Sequence, residues 1–464
     1  MKAELEANLQ GAESRGTKMQ GATEELARFV ANTRDIPDKV LQNAKLMILD
    51  TVGVILAATR DSGCKLLARW VKDQESTPRA TVIGQGFCSS PLLAALVNGH
   101  AAHALDYDDS GHYSTQTLPA ALALGEPAHV AGAKFIRAYV IGREVCNRLD
   151  AAFDASREKL RGPTFRGWHH TGTNGSFGAA AAAGVVLGLD LEQIRTAFGI
   201  AANGACGLRA NMGTMSKALV SGNAARNGVM AATLAQRGFT AEKSVLETPQ
   251  GIANAFCEES DIDWEAMTRD LGKSYALARG AITKDYPSCS PAHRPIEALL
   301  TIVTEHGVRA EDVDRIECDL HSFSLRRDEA RDAHEGQYSL KYCLSVVLLD
   351  KQMGLGQMTE ERIKCKDVQD LTHRLHLVPP PGGSVERRPK EKLTVYLKNG
   401  KSYSAEVTHA RRISSLAELE AKFFSCAQRS LSSEVAAQTR DIILNLEKLA
   451  DVAKLMDLVR GRMT

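Results

Sequence analysis

The stretch HALDYDDSGHYSTQT, residues 103–117, sets three carboxylates, Asp106, Asp108 and Asp109, within four positions and flanks them with His103 and His112. Three chemistries are open to such a group. Carboxylates and imidazoles can cage a divalent cation, although no HExxH, EF-hand spacing or cysteine cluster accompanies them. They can move protons near neutral pH. Alternatively, Asp109 or Ser110 can cap the following helix and leave only an acidic turn. These residues alone do not choose among the three.

Three further clusters carry chemistry. In RGWHHTGTNGSFG, His169 and His170 stand together before a glycine- and hydroxyl-rich loop that opens a helix, where backbone N–H groups suit a carboxylate. The bland alternative is one exposed histidine and one bonded to a backbone carbonyl. In GTMSKALVSGNAARNG, Lys217 is an isolated cation among small residues, with Ser216 and Ser221 nearby. A lysine buried there needs an anion or a functional reason. TKDYPSCSPAHRPIEA offers Lys284, Tyr286, Cys289 and His293. A Cys289–His293 nucleophile pair is conceivable, but nothing marks the thiol as activated, so Lys284 reads as a second anion contact and Cys289 as a packed thiol. No strand–GxGxxG–helix and no phosphate-binding glycine loop occurs. The set points to chemistry on a small carboxylate with no cofactor and no metal.

The elements that must hold these residues change along the chain. ATEELARFVANTR and PDKVLQNAKLMILDTVGVILAA repeat at three and four, with Pro37 at a helix start, and helical patterning continues to about Gly238. Alanine and glycine are dense between Gly175 and Gly238, which lets helix backbones come close. Strand patterns then enter: VDRIECDLHSF, and a hairpin around Asn399-Gly400 in EKLTVYLKNGKSYSAEVTHARR. A helix, YSLKYCLSVVLLD, lies between them, and LVPPPGGSVERRPKE reads as an exposed, mobile loop. Helix returns in SLAELEAKFFSCAQ and SEVAAQTRDIILNLEKLADVAKLMDLVRG. The expectation is a mainly α protein. A large all-helical domain forms from both chain ends, residues 17–280 and 414–464, and a smaller α+β lid domain, residues 281–413, is inserted between them. A cleft between the two is where a small-molecule site is expected.

Size and composition agree. A chain of 464 residues, 44% hydrophobic and 24% charged, is large enough for two domains, and a net charge of +1 gives no case for steering nucleic acid or an anionic membrane. No stretch reads as a membrane span or a signal peptide. Ten cysteines without a CxxC pair read as reduced thiols, and the cytoplasm is the expected location.

Taken in order, NGHAAHALDYDD, GWHHTGTNGSFGAAAAAG, MSKALVSGNAARNG, KDYPSCSPAH and YSLKYCLSV resemble the MmgE/PrpD family, which includes 2-methylcitrate dehydratase, cis-aconitate decarboxylase and iminodisuccinate epimerase. The resemblance runs from about Thr23 to the C-terminus. It implies a homodimer that binds a di- or tricarboxylate between helical domain and lid without a cofactor. It places the site on Asp106, His169, Lys217, Lys284 and Tyr342, with the lysines holding substrate carboxylates and Asp106 and His169 as the groups around the reacting carbon. His170, Thr173 and Gln116 complete the expected substrate contacts. One departure stands out: family members follow their DFDD with a histidine-proline-serine sequence, where this chain has the shorter SGHYSTQTLPAAL. His112 then stands in from a shifted position, or Gln116, which cannot act as acid or base, fills the space. The first expectation is a dehydratase-type lyase. An isomerase or epimerase and a cis-aconitate-type decarboxylase are the alternatives, followed by a non-catalytic carboxylate-binding protein.

Overall fold

The computed structural model describes residues 21–154, 162–319, 325, 328–378, 390–413 and 415–461. The outer limits of the expected helical domain, 17–20 and 462–464, its restart at Ser414, and most of the proline-rich loop expected to be mobile (379–389) lie outside them.

The chain opens with α1 (Ala22–Asn32), α2 (Asp38–Ala58) and α3 (Ser62–Lys72). Pro37 is the N-cap of α2, so the sequence signal marks the true start. By length and composition α2 would cross a membrane, contrary to the reading that no stretch could, but 78% of its apolar window is buried inside the structure. A small antiparallel hairpin, β1 (Ala80–Val82) and β2 (Phe87–Ser89), interrupts the helices. The helical patterning gives no sign of it. Then come α4 (Pro91–Ala104), capped by Ser90 with Pro91 in its first turn, α5 (Ser114–Gly125) and α6 (Gly132–Phe153). These are followed by α7 (His170–Leu187), α8 (Leu191–Ala202) and α9 (Met215–Gln236).

Helices α4, α7 and α9 pack in the middle of this body, and small residues make it possible. A Cβ on Gly99 would stand 3.0 Å from Gly222 Cα, and one on Gly222 would stand 2.3 Å from the Leu96 carbonyl oxygen. Neither helix tolerates a side chain at that crossing without moving apart. The close crossing brings the C-terminal end of α4 beside the first turn of α9, where Lys217 sits.

Short helices α10 (Ile252–Phe256) and α11 (Trp264–Thr268) lead to α12 (His293–His306) and β3 (Val313–Asp319). Next are α13 (Ala333–Gly336), α14 (Leu340–Asp350), α15 (Glu360–Ile363), α16 (Lys366–Thr372) and β4 (Leu375–Val378). The hairpin β5 (Glu391–Leu397) and β6 (Ser402–Val407) turns through Gly400, whose φ is +83°. The sheet order is β4-β3-β5-β6, with β3 and β4 parallel and the other pairs antiparallel. The chain closes with α17 (Leu416–Ala427), begun by a Ser415–Glu418 capping box, α18 (Ser433–Leu444) and α19 (Ala453–Val459).

The last helical stretch is therefore split after Leu444, where its periodicity reads as continuous. The break lets backbone dock on the entry to α6: Gly132 N–H donates to the Leu449 carbonyl and Val452 N–H to that of Val130. The protein is mainly α with small sheets. Its apolar residues form two cores, one from Ala22 to Leu277 together with Ile413 to Val459, the other from Tyr286 to Val395.

Candidate active site

The loop between α4 and α5 carries the acidic run, and two of its residues, Asp106 (φ +47°) and His112 (φ +60°), adopt left-handed backbone. Outside glycine this costs roughly 1–2 kcal/mol per residue, so the contacts made there must offset it. Asp106 is 2% exposed. Its Oδ1 accepts from Lys217 Nζ at 2.6 Å, its Oδ2 lies 3.1 Å from Lys284 Nζ, and Lys284 also donates to the Asp106 carbonyl at 2.9 Å. Burial pushes the carboxyl up, but Lys217, Lys284 and His112 outweigh it and hold it well below the usual carboxylate range. Asp106 is a fixed anion, not a proton donor near neutrality.

Asp108 is fully buried and binds two histidines, His112 Nδ1 at 2.6 Å and His103 Nδ1 at 3.4 Å. The first bond leaves Nε2 of His112 as its free nitrogen. Asp109 does the capping expected of it: Oδ1 accepts the Ser114 N–H at the start of α5, and Oδ2 pairs with Arg143 at 2.8 Å. The opening run thus divides into one lysine-held anion, one histidine-orienting anion and one helix cap.

Around them the imidazoles gather. His103 and His112 ring centres are 4.6 Å apart, His103 and His169 5.9 Å, His112 and His169 6.5 Å, and His170 stacks on His169 at 5.3 Å and on His112 at 6.0 Å. The loop therefore turns His112 inward. Burial pushes His103 down to about 3, and burial followed by His170, His103, Lys217 and His112 holds His169 well below its ordinary value, so both are neutral at pH 7. His169 Nδ1 accepts the Thr171 N–H at 3.3 Å, which puts its own proton on Nε2.

This last bond corrects one expectation. The glycine-hydroxyl stretch is already helix from His170, and His169 is its N-cap. The amides of Gly172 and Thr173 donate to the His169 carbonyl at 2.9 and 3.2 Å, so they are engaged and do not form an anion cradle. Thr173 is buried on α7 with Oγ1 3.4 Å from Asn174 Oδ1, and its hydroxyl makes no hydrogen bond to an imidazole among the described residues. Gln116 is buried too, donating to Thr115 Oγ1 at 2.9 Å and packing against Gly175. Thr115 in turn accepts from Ser221 of α9.

Tyr342 is a second correction. Ser339 caps α14 on the Tyr342 N–H, which fixes Tyr342 in the first turn, and its hydroxyl donates to the Gln357 carbonyl inside the second core. The tyrosine at the cluster is Tyr338, 2% exposed, with its ring centre 5.8 Å from Lys217 Nζ. Burial, then Asp106, Cys289 and Asp108, push its hydroxyl well above the ordinary value. Cys289 is a packed thiol, pushed up to about 12 by burial, and His293 Nε2 donates to the Ser288 carbonyl at 3.2 Å, so no nucleophile pair forms.

Sequence reasoning passed over three residues that the fold brings in, and it named His103 as a flank of the acidic run without placing it in the site. The i, i+3 relation of His103 to His100 on an otherwise apolar helix was a usable signal. Lys422 lies on the buried stripe of α17 with Leu419, Phe423 and Cys426; a lysine in an apolar stripe was another. Its Nζ pairs with Asp50 at 2.7 Å and donates to the carbonyls of Tyr107 and Lys284, pinning the acidic loop to the C-terminal helices. Tyr338 and the half-buried Arg209, whose charge acts on both Tyr338 and Cys289, gave no sequence signal.

Donor atoms of His103, Asp106, Asp108 and His112 lie within 4.8 Å of one another, a spacing from which a cation site could begin. Lys217 Nζ, however, is 2.6 Å from Asp106 and 3.4 Å from His103 Nδ1. A cation there would meet an ammonium group, whereas a carboxylate would meet two. A groove of about 960 Å³ lies elsewhere, beside Arg60, Arg69 and Arg429, and none of the clustered histidines lines it.

Profiles for the MmgE/PrpD N-terminal and C-terminal domains match residues 24–265 and 286–448. Cis-aconitate decarboxylase of Homo sapiens is 29% identical over 448 residues, covering 92% of this chain and 91% of its own. The enzyme of the same name from Mus musculus is 27% identical, covering 96% and 94%, and that from Aspergillus terreus 26%, covering 95% and 96%.

Proposed function

The chain belongs to the MmgE/PrpD family, and on that premise we propose that it is a cofactor-independent lyase acting on a small di- or tricarboxylate, by proton abstraction next to a carboxylate. The observation that carries this reading is the convergence of Lys217 and Lys284 on Asp106 inside a ring of imidazoles. Substrate carboxylates bind at these ammonium groups and at Arg209, in a buried setting where charge-assisted hydrogen bonds are strong. Asp106 holds the lysines in place between turnovers.

In the dehydratase form, His112 Nε2, oriented by Asp108, takes the proton from the carbon next to a carboxylate. The C–O bond breaks as the double bond forms, and His169 Nε2–H protonates the leaving hydroxyl, so that water departs. The two imidazoles, His112 bonded to Asp108 through Nδ1 and His169 accepting the Thr171 N–H at Nδ1, supply the base and the acid on either side of the reacting carbon. Decarboxylation is the second reading, supported by the printed names of the relatives. There a C–C bond breaks, carbon dioxide leaves and the resulting carbanion takes a proton from the same imidazoles. The same reading includes a homodimer working in the cytoplasm, the former checked by light scattering.

The test is proton NMR in deuterated water with citrate-like hydroxy acids, cis-aconitate and iminosuccinates. New alkene signals from a hydroxy acid support dehydration, and carbon dioxide release supports decarboxylation. Deuterium exchange into an unchanged skeleton replaces both with an epimerase.

A further inference from the structure

One side-chain cluster lies outside this chemistry. Asp61 caps α3, Cys64 lies in its first turn, and His100 sits on α4 one turn before His103. A carboxylate oxygen, the Cys64 Sγ and an imidazole nitrogen of His100 lie within 4.8 Å of one another. Cys64 is fully buried and His100 is 3% exposed, yet neither ring nitrogen of His100 has a hydrogen-bond partner among the described residues. Its Nε2 is 3.3 Å from where a Cβ on Gly63 would stand, so the ring lies close against the Asp61–Cys64 turn, and a side chain there would push it back by a few tenths of an ångström. A buried imidazole with two unsatisfied nitrogens is costly unless something occupies the space before it.

We propose that Asp61, Cys64 and His100 form a binding site for a divalent transition-metal ion of the zinc class. Thiolate, imidazole and carboxylate are the donor types that such an ion prefers, at bond lengths of roughly 2.0–2.3 Å with a water in the fourth position. Those lengths put donors roughly 3.3–3.8 Å apart, so the present cluster contracts by about 1 Å on binding. The thiol loses its proton to solvent as the Cys64–metal bond forms, and thiolate plus carboxylate then neutralise the ion's two positive charges. Asp61 is already oriented: Oδ1 accepts the Cys64 N–H at 2.9 Å and Oδ2 lies 3.0 Å from His334 Nε2. His334 belongs to α13, beyond the second core's entry, so it acts as the outer partner of a ligating carboxylate and links the site to the α+β unit. The Asp61 carboxylate is 6% exposed, and the exposed Ser62 between the two ligands marks where the site lies nearest solvent. The histidine cluster 103–112 differs in having no sulfur donor and in two lysines paired directly with its Asp106, whereas Lys217 reaches His100 only through its charge.

The probe is cobalt(II), titrated into chelator-treated, dialysed full-length protein and followed by absorption. One equivalent should give a thiolate-to-metal charge-transfer band, displaced by zinc. Cys64→Ser abolishes the band, and His334→Gln, which removes an outer partner, weakens binding about 10-fold or more. Cys289→Ser and His112→Gln leave the band intact. Circular dichroism checks the fold of each variant, and His100→Gln, expected to lose stoichiometric binding, decides the matter if Cys64→Ser does not fold. A wild-type protein with no saturable band overturns the proposal, as does a band that survives Cys64→Ser or disappears in His112→Gln.

Discussion

His112 Nδ1 lies 2.6 Å from Asp108 Oδ2, inside a loop that is shorter than the family pattern and held in left-handed backbone at His112 itself. The bond fixes the imidazole inward through Nδ1, the orientation that the proposed proton-transfer role of His112 requires. His112→Gln is expected to lower turnover by roughly 10²-fold or more, the span of a general acid–base group. His169→Asn should do the same while retaining a side-chain oxygen to cap α7, and asparagine is among the best caps. Steady-state kinetics with circular dichroism measures both. Near-normal turnover in either variant removes that histidine from the chemistry.

Lys217 and Lys284 share Asp106, so each lysine serves both binding and structure. Lys217→Ala and Lys284→Ala should each weaken polycarboxylate binding by about 10-fold or more, since a lost charge-assisted hydrogen bond costs about 1.5–3 kcal/mol. Both should also lower the melting temperature, because a buried carboxylate loses a partner. Calorimetric titration reads the affinity. Unchanged affinity in one variant places that lysine outside the pocket.

The two tyrosines separate cleanly. Tyr342→Phe removes a hydroxyl bonded to the Gln357 carbonyl and should cost about 1 kcal/mol of stability with turnover nearly unchanged. Tyr338→Phe, beside Lys217, should lower turnover with little change in stability. The reverse pattern would return Tyr342 to the site.

Acid should destabilise the protein early. His103 and His293 are each pushed down to about 3 by burial, and His169 is held well below its ordinary value. The unfolded chain takes up these protons first, at about 6.5, so the stability they support is complete above that pH and is lost as pH falls toward 3. Asp50, pushed up to about 6 by burial, has the opposite sign: protonation favours the fold as pH falls through 6. His100 is likewise pushed down to about 4. The four depressed histidines against Asp50, Glu126 and His334, whose raised values favour the fold as pH falls, leave a net loss of at most about 1.4 kcal/mol per pH unit for the uncompensated group. The urea midpoint should fall from pH 7 to pH 5. A flat midpoint contradicts the neutral assignment of the histidines.

What the sequence made legible was local. Pro37, the Asn399-Gly400 turn, the Asp109 cap and the small-residue helices each act through their immediate neighbours or through a rule of spacing. Lys217 and Lys284 were legible because isolated lysines among apolar residues need anions. Tyr338 and Lys422 were not found, and His103 was noted only as a flank of the acidic run, because their roles arise where α4, α9, α14 and α17 meet, and no single segment contains that meeting. Tyr342 was misplaced for the same reason. The motif positions α14, but the capping of its first turn decides which tyrosine faces Lys217. Continuous periodicity likewise hid the break after Leu444, which exists to dock backbone on Val130 and Gly132.

The most direct measurement is proton NMR of the wild-type protein in deuterated water with hydroxy and unsaturated tricarboxylates, run beside Lys217→Ala and His112→Gln. The account predicts that the wild type cleaves at least one of them next to a carboxylate, releasing water or carbon dioxide, and that both variants lose this turnover. If the wild type leaves every polycarboxylate intact at stoichiometric enzyme, or if the two variants turn over as fast as it does, the lysine–aspartate–histidine cluster is not the active site of a lyase.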